Sequence, residues 1–385
     1  MSSQKAENTE TKTKPRDSGV GNLGIQQLFK VMVESGASDL HITMGSPPGM
    51  RIHGDIVRVK LGALTADDTK RLVYQILTEK QKAELEKNLE LDFSFGIKGL
   101  ARFRANVFYS KNAVAAVFRQ IPSLIPDFDA LSLPKVLLDI VNVSNGLVLV
   151  TGPTGSGKST TLAALIDRLN STTPSHIITL EDPVEFVHQH KMSLVNQREV
   201  GQDTLSFGRG LKSLLRQDPD IVLVGELRDV ETIEAALTIA ETGHLVFGTL
   251  HTNSTIQTIN RIINVFPHEQ QEQIRTLLSF VLQGVIAQQL LPKIPKGRVA
   301  VQEILRINPA IRNLIREDKV HQIYSQMQIG QDETGMSTMN QGIKKLLDGG
   351  VITTETAMAF TNNPDELGRM LGIEKGNSSK KKPTG

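Results

Sequence analysis

The chain has 385 residues, room for two or three domains at roughly 100–200 residues each. Its 43 lysines and arginines balance 41 aspartates and glutamates to a formal charge of +2, which excludes a histone-like grip on a polyanion by bulk charge. Cysteine is absent, so disulfides, thiolate-held zinc and a thiol nucleophile are excluded. With no tryptophan and 4% aromatics there is no broad platform for stacking bases, and no nucleic-acid partner is expected.

Residues 1–21 form a polar tail of Ser, Thr, Lys, Glu and Gly, which buries too little apolar surface to repay ordering and is expected to be disordered. Residues 22–120 read as a compact α+β module. Helical apolar spacing runs over 23–33, and strand-like alternation at 39–43 and 50–53 flanks the turn Gly45-Ser46-Pro47-Pro48-Gly49. One charged helix is predicted over 65–88, followed by strands at 92–95, 101–109 and 113–120. Residues 121–129 read as a linker, because Pro122 and Pro126 forbid regular structure there.

From 130 to 302 the rhythm changes. Four apolar strands, 146–151, 176–180, 221–225 and 244–249, alternate with helical segments, the pattern of a mostly parallel sheet covered on both faces. Residues 303–372 read as mainly helical. Residues 373–385 are a second polar tail whose Lys380-Lys381-Lys382 run is read as solvated. No apolar run approaches the ~20 residues of a spanning helix, and the N-terminus lacks the apolar stretch of a signal peptide. The expectation is a cytoplasmic protein that meets a membrane only through partners.

The strongest chemical signal is Gly152-Pro153-Thr154-Gly155-Ser156-Gly157-Lys158-Ser159, which matches G-x-x-x-x-G-K-[ST] in full. A buried strand precedes it, and a helix with an apolar face opens at Thr160. Glycines let backbone N–H groups curl around phosphate oxygens, and the helix N-terminus adds positive potential. Lys158 is suited to the β/γ-phosphates and the Ser159 hydroxyl to Mg²⁺. A second apolar strand, 221–224, ends in Gly225-Glu226, a carboxylate placed to orient Mg²⁺ or the attacking water. A third ends in Glu181-Asp182-Pro183-Val184-Glu185, three carboxylates in five residues at the edge where α/β sheets hold ligands. Such a cluster invites a cation and raises the pKa of one member toward that of a general base. His251 follows the strand 244–249 and is expected at the same edge, near a γ-phosphate. His244 opens that strand and is read equally well as structural. No guanine-specifying N-K-x-D element is present, which favours ATP over GTP.

Residues 152–159, 181–185, 225–226 and 244–251 resemble the Walker A, Asp box, Walker B and His box of the secretion ATPase superfamily. The likeness covers about residues 22–372. It implies a PAS-like α+β N-terminal domain, a RecA-like P-loop ATPase domain of the α/β class, a helical C-terminal portion and a homohexameric ring. Within the superfamily the chain resembles the type IV pilus retraction (twitching motility) ATPases. The segment Ala310-Ile311-Arg312-Asn313-Leu314-Ile315-Arg316-Glu317 carries that group's motif without departure, although by periodicity alone it is an ordinary amphipathic helix.

The resemblance implies that Glu185 is the general base, that Glu226 is the Walker B acid, and that Arg102, Arg104 and Arg119 of the N-terminal domain reach the nucleotide. It also implies a Mg²⁺-dependent ATPase that works against an inner-membrane pilus platform protein. Arg102 and Arg104 share one face of a strand, and an arginine fork binds phosphate bidentately. Pilus assembly and type II secretion ATPases stay open as alternatives, although they usually carry a tetracysteine zinc insert and a longer N-terminal region. A retraction-accessory paralogue also stays open. A helicase or recombinase would need a basic, aromatic-lined groove, and a scaffold protein a degraded phosphate loop; neither feature is seen.

Overall fold

The structure, a computed structural model, describes residues 23–122 and 124–372, so the two polar tails read at 1–21 and 373–385 lie outside the described residues. The chain divides into two compact units at Ser123 and Leu124.

The first unit is a six-stranded antiparallel sheet covered on one face by helices. Its strands are β1 (Asp39–Ile42), β2 (Gly49–Ile52), β3 (Asp55–Arg58), β4 (Glu90–Ile97), β5 (Ala101–Ser110) and β6 (Ala113–Ile121), in the order β3-β2-β1-β6-β5-β4. Its helices are α1 (Ile25–Glu34), α2 (Ala66–Tyr74) and α3 (Glu79–Asn88). Leu28, Phe29 and Met32 of α1 pack on Leu40, Phe103 and Phe118 of the sheet, with the rings of Phe29 and Phe103 stacked at 4.5 Å. The single charged helix predicted over 65–88 is two. Thr78 starts the second by accepting from the backbone N–H of Gln81, so the chain is re-capped in mid-segment. The strand β3 escaped sequence reading because it is exposed along its whole length and shows no alternation. The segment read as a linker is ordered at both ends. Ile121 closes β6, and Phe128 is buried in the core of the second unit.

The second unit is a seven-stranded sheet of β7 (Gly146–Thr151), β8 (His176–Glu181), β9 (Leu194–Glu199), β10 (Ile221–Val224), β11 (Leu245–Leu250), β12 (Leu282–Pro292) and β13 (Arg298–Arg306). Its order is β13-β12-β7-β11-β10-β8-β9, parallel except for β13 against β12. The four strands legible in the sequence are the four central ones. Each is apolar over most of its length because both of its faces are covered. On one face Leu147, Leu149, Ile178, Val222 and Val246 pack against α6 (Phe207–Leu214), α7 (Val230–Glu241), α8 (Thr255–Asn264) and α9 (His268–Val281). On the other, Val148, Val150, Ile177, Leu223 and Phe247 meet α4 (Val136–Val141) and α5 (Lys158–Thr172). The helix α10 (Pro309–Arg316) adds Ile311 and Ile315 to the first of these cores.

The region read as helical from 303 begins inside β13, and helices follow from α10 onward. A smaller core joins Leu291 of β12 and Val301 of β13 to Met339, Ile343 and Leu367 of those helices. The unit is thus an α/β core with a helical C-terminal portion. In register, Leu250 lies beside Thr151, and Val224 beside both Leu180 and Gly248. Parallel pairing therefore delivers the loops after β7, β8, β10 and β11 to one edge of the sheet.

Candidate active site

The loop after β7 turns on glycines that nothing else could replace. Gly152 has φ +144°, and a Cβ there would stand 2.2 Å from the Gln288 carbonyl oxygen. Gly157, at φ +87°, is the left-handed residue from which α5 starts. Pro153, Thr154 and Gly155 are exposed while Ser156 and Lys158 are buried, so the loop presents an open cradle on a packed base. The Lys158 ammonium donates to the Gly152 and Pro153 carbonyl oxygens at 2.8 and 3.1 Å. Burial pulls its pKa down, and the charges of Glu226 and Glu185 oppose that shift. Ser159 and Thr160 follow in the first turn of α5, half-buried.

Glu226 lies just beyond β10. The guanidinium of Arg228 donates to its Oε2 at 2.7 Å, and His251 Nε2 lies 3.2 Å from its Oε1. These partners, Arg228 foremost, hold the Glu226 carboxyl below the usual carboxylate range. The end of β10 is tied to β11, where the Thr249 hydroxyl donates to the Gly225 carbonyl. His251 is thus placed at the edge by parallel pairing, one residue past β11. His244 lies at the opposite end of that strand, with Nδ1 3.0 Å from the Ile239 carbonyl at the close of α7. Its role there is structural.

The acidic segment after β8 splits into two roles. Glu181 turns inward. Its Oε1 accepts from the Thr179 hydroxyl at 2.6 Å and the Gln197 amide at 3.1 Å, and its carboxylate also takes the backbone N–H of Glu185. Burial, opposed by these bonds, pushes the Glu181 carboxyl up. The raised member of the cluster is therefore the one that pins the turn. Glu199 on β9 braces the same turn by accepting from Val184 N–H at 3.1 Å. Glu185 is left exposed, close enough for its charge to act on Lys158. Among the described residues no three acidic or histidine side chains come together to cage a metal.

The arginines belong to the first unit. Arg104 on β5 stands opposite Arg119 on β6, and Arg119 in turn opposite Asp39 on β1. The Arg102 guanidinium donates to Ser94 Oγ at 2.6 Å, and Arg119 Nε to Asp39 Oδ1 at 2.8 Å. Asp39 is 3% exposed. Burial alone would raise its carboxyl, but Ser38 and Arg119 together bring it below the usual range. Sequence reading passed over Asp39, Arg228, Gln288 and the inward role of Glu181. A carboxylate two residues before an arginine was visible at Glu226 and Arg228. Gln288 gave no local signal at all.

The model of the Type II/IV secretion system protein family matches residues 16–358. The chain is 51% identical over 345 residues to a Pseudomonas aeruginosa relative described as the type IV pilus retraction ATPase PilT, covering 90% of this chain and 100% of the relative. It is 41% identical over 349 residues to the type IV pilus ATPase PilU of the same organism, covering 90% and 91%. Among solved structures, that of the pilus retraction motor PilT with bound ADP superimposes with a TM-score of 0.86 at 54% identity, covering 91% of this chain and 100% of the other.

Proposed function

The chain belongs to the Type II/IV secretion system protein family, and from that premise we propose that it is a hexameric motor hydrolysing ATP to drive type IV pilus retraction. The observation that carries the reading is Lys158, bonded to the carbonyls of its own loop and subject to the charges of Glu185 and Glu226. Such a site is built for phosphoryl transfer, which needs positioning and charge rather than covalent chemistry. The N–H groups of Gly155 to Ser159 cradle the phosphates, with Thr160 completing the first helical turn. Glu185 is the exposed carboxylate that takes a proton from the attacking water. His251, held to Glu226, senses the γ-phosphate. Arg102, Arg104 and Arg119 are the proposed further phosphate ligands, a role suited to guanidinium forks gathered on one sheet face.

The donor set fits Mg²⁺, an ion that keeps water and phosphate oxygens in its shell and takes few protein ligands. Ser159 and Glu226 would hold it, and when bound it would supply positive charge to the phosphates. No helix among the described residues is long and apolar enough to cross a membrane. That accords with a cytoplasmic ring docking on an inner-membrane pilus platform protein. Deleting the gene and scoring surface pili tests the reading. Excess pili that no longer retract are expected; loss of pili would assign the chain to assembly instead, and unchanged pili would remove it from pilus dynamics.

A further inference from the structure

We infer that Gln288 is a positioning residue of the nucleotide site, whose buried carboxamide holds the phosphate loop in the shape that receives phosphate. Gln288 is 2% exposed. It lies on β12, one residue beyond the pairing of Ala287 with Thr151, and so beside the first glycine of the loop. Its Nε2 donates to the Ser156 carbonyl at 2.7 Å. Its Oε1 accepts from the Thr161 hydroxyl on α5 at 2.8 Å and from Gln302 Nε2 on β13 at 3.2 Å. The Ser156 carbonyl can only accept, so the nitrogen of the amide must face it and the oxygen must face Thr161. Both glycine ends of the loop also close on this residue. A Cβ on Gly152 would meet the Gln288 carbonyl oxygen at 2.2 Å, and one on Gly157 would meet Nε2 at 2.9 Å.

The consequence follows from peptide geometry. In a trans peptide the C=O and the next N–H point in opposite directions. Holding the Ser156 carbonyl toward Gln288 therefore aims the Gly157 N–H away from it, to the side where phosphate is received. The same carboxamide fixes α5 through Thr161, and with it the start of the helix that carries Lys158 and Ser159. One side chain thus sets the loop and the helix N-terminus together.

The inference rests on the nucleotide-binding part of the proposed function. Its test is Mg·ADP calorimetry and steady-state ATP hydrolysis on full-length wild type, Gln288→Met and Gln288→Glu. The methionine variant keeps the length and loses the donor. It should weaken Mg·ADP affinity and raise KM for ATP by about 10–100-fold, with kcat changed only a few-fold because Glu185 and Glu226 stand on other loops. In the glutamate variant an ionised carboxylate repels the Ser156 carbonyl, whereas a protonated one supplies the missing donor. Its KM should therefore fall toward wild type as pH drops from 8.5 to 6.5, while the ratio of the methionine variant to wild type stays flat. Mg·ADP affinity equal to wild type in both variants, or a glutamate defect that ignores pH, would overturn the inference. If neither variant folds, Thr161→Val carries the test: a several-fold higher KM at unchanged Tm supports it, and a wild-type KM overturns it. Wild-type protein that itself binds no Mg·ADP would instead sink the nucleotide reading.

Discussion

Four residues apart, Glu181 and Glu185 carry the same chemical group and do different work. Glu181 accepts three hydrogen bonds and holds the turn; Glu185 is exposed and accepts none among the described residues, and its charge acts on Lys158. The two are separable by amide substitution. Glu185→Gln should retain Mg·ADP binding and lower turnover by roughly 10²–10⁴-fold, the usual contribution of a general base. Glu181→Gln places an amide where three donors converge. It should lower turnover by a smaller factor, about 10-fold, through displacement of the turn. Steady-state hydrolysis of both variants decides the matter, and near-normal turnover in Glu185→Gln would strip that residue of its assigned role.

At the scale of elements, the segment 310–317 separates in the same way. Asn308 caps α10 by accepting from Ile311 N–H at 2.9 Å, and Ile311 and Ile315 are fully buried. Arg312 reaches back to the end of α9, donating at 2.6 Å to the carbonyls of both Ser279 and Phe280. Those are last-turn carbonyls that have no partner within their own helix, so Arg312 serves as a C-terminal cap. Arg316 lies exposed and, among the described residues, bonds only to its neighbour Asn313. Arg312→Ala should cost about 1.5–3 kcal/mol of stability, the worth of hydrogen bonds from a charged donor. Arg316→Ala should stay within about 0.5 kcal/mol. Denaturant melts of the two variants measure the difference, and equal losses would refute the division. Amphipathic spacing was legible across this helix, but the partner of Arg312 was not, since it lies 33 residues away on another helix. The strands tell a similar story. Central strands, apolar on both faces, announce themselves. The flanking β9, with its Asn, Gln and Arg, and the glutamine-bearing β12 break the apolar run and do not.

Over the whole molecule, each unit holds a histidine whose pKa is lowered by burial, partial for His41 and nearly complete for His188. Burial lowers the pKa of His41 in the first unit and of His188 in the second, where Asp167 lies 3.9 Å from the ring. In the unfolded chain both take a proton below about pH 6.5. Between that pH and the lower folded pKa, the unfolded state binds more protons, so stability falls as pH falls. The slope is at most about 1.4 kcal/mol per pH unit for each histidine. Asp39, whose carboxyl is held low, adds a further loss only once pH drops below its unfolded value of 3.8. Thermal melts from pH 7.5 to 5.5 should show a declining Tm, and His188→Gln should flatten that decline even though it lowers the Tm at neutral pH. A decline as steep in the variant as in wild type would show that His188 is not its source.

The amino-acid sequence by itself determined what contiguous residues can carry. The phosphate loop, the carboxylates of Glu185 and Glu226 after their strands, His251 and the central strands are each written in a short run, because strand period, helix start and left-handed glycine are local requirements. Only the tertiary structure decided which polar groups those runs lean on. Gln288 meets Ser156 across 132 residues, and Arg119 meets Asp39 across 80. A buried hydrogen bond needs its partner within about 3 Å in space and places no condition on the partner's distance along the chain. For that reason the proposed reacting groups are legible in short runs of sequence, and the residues that brace them are not.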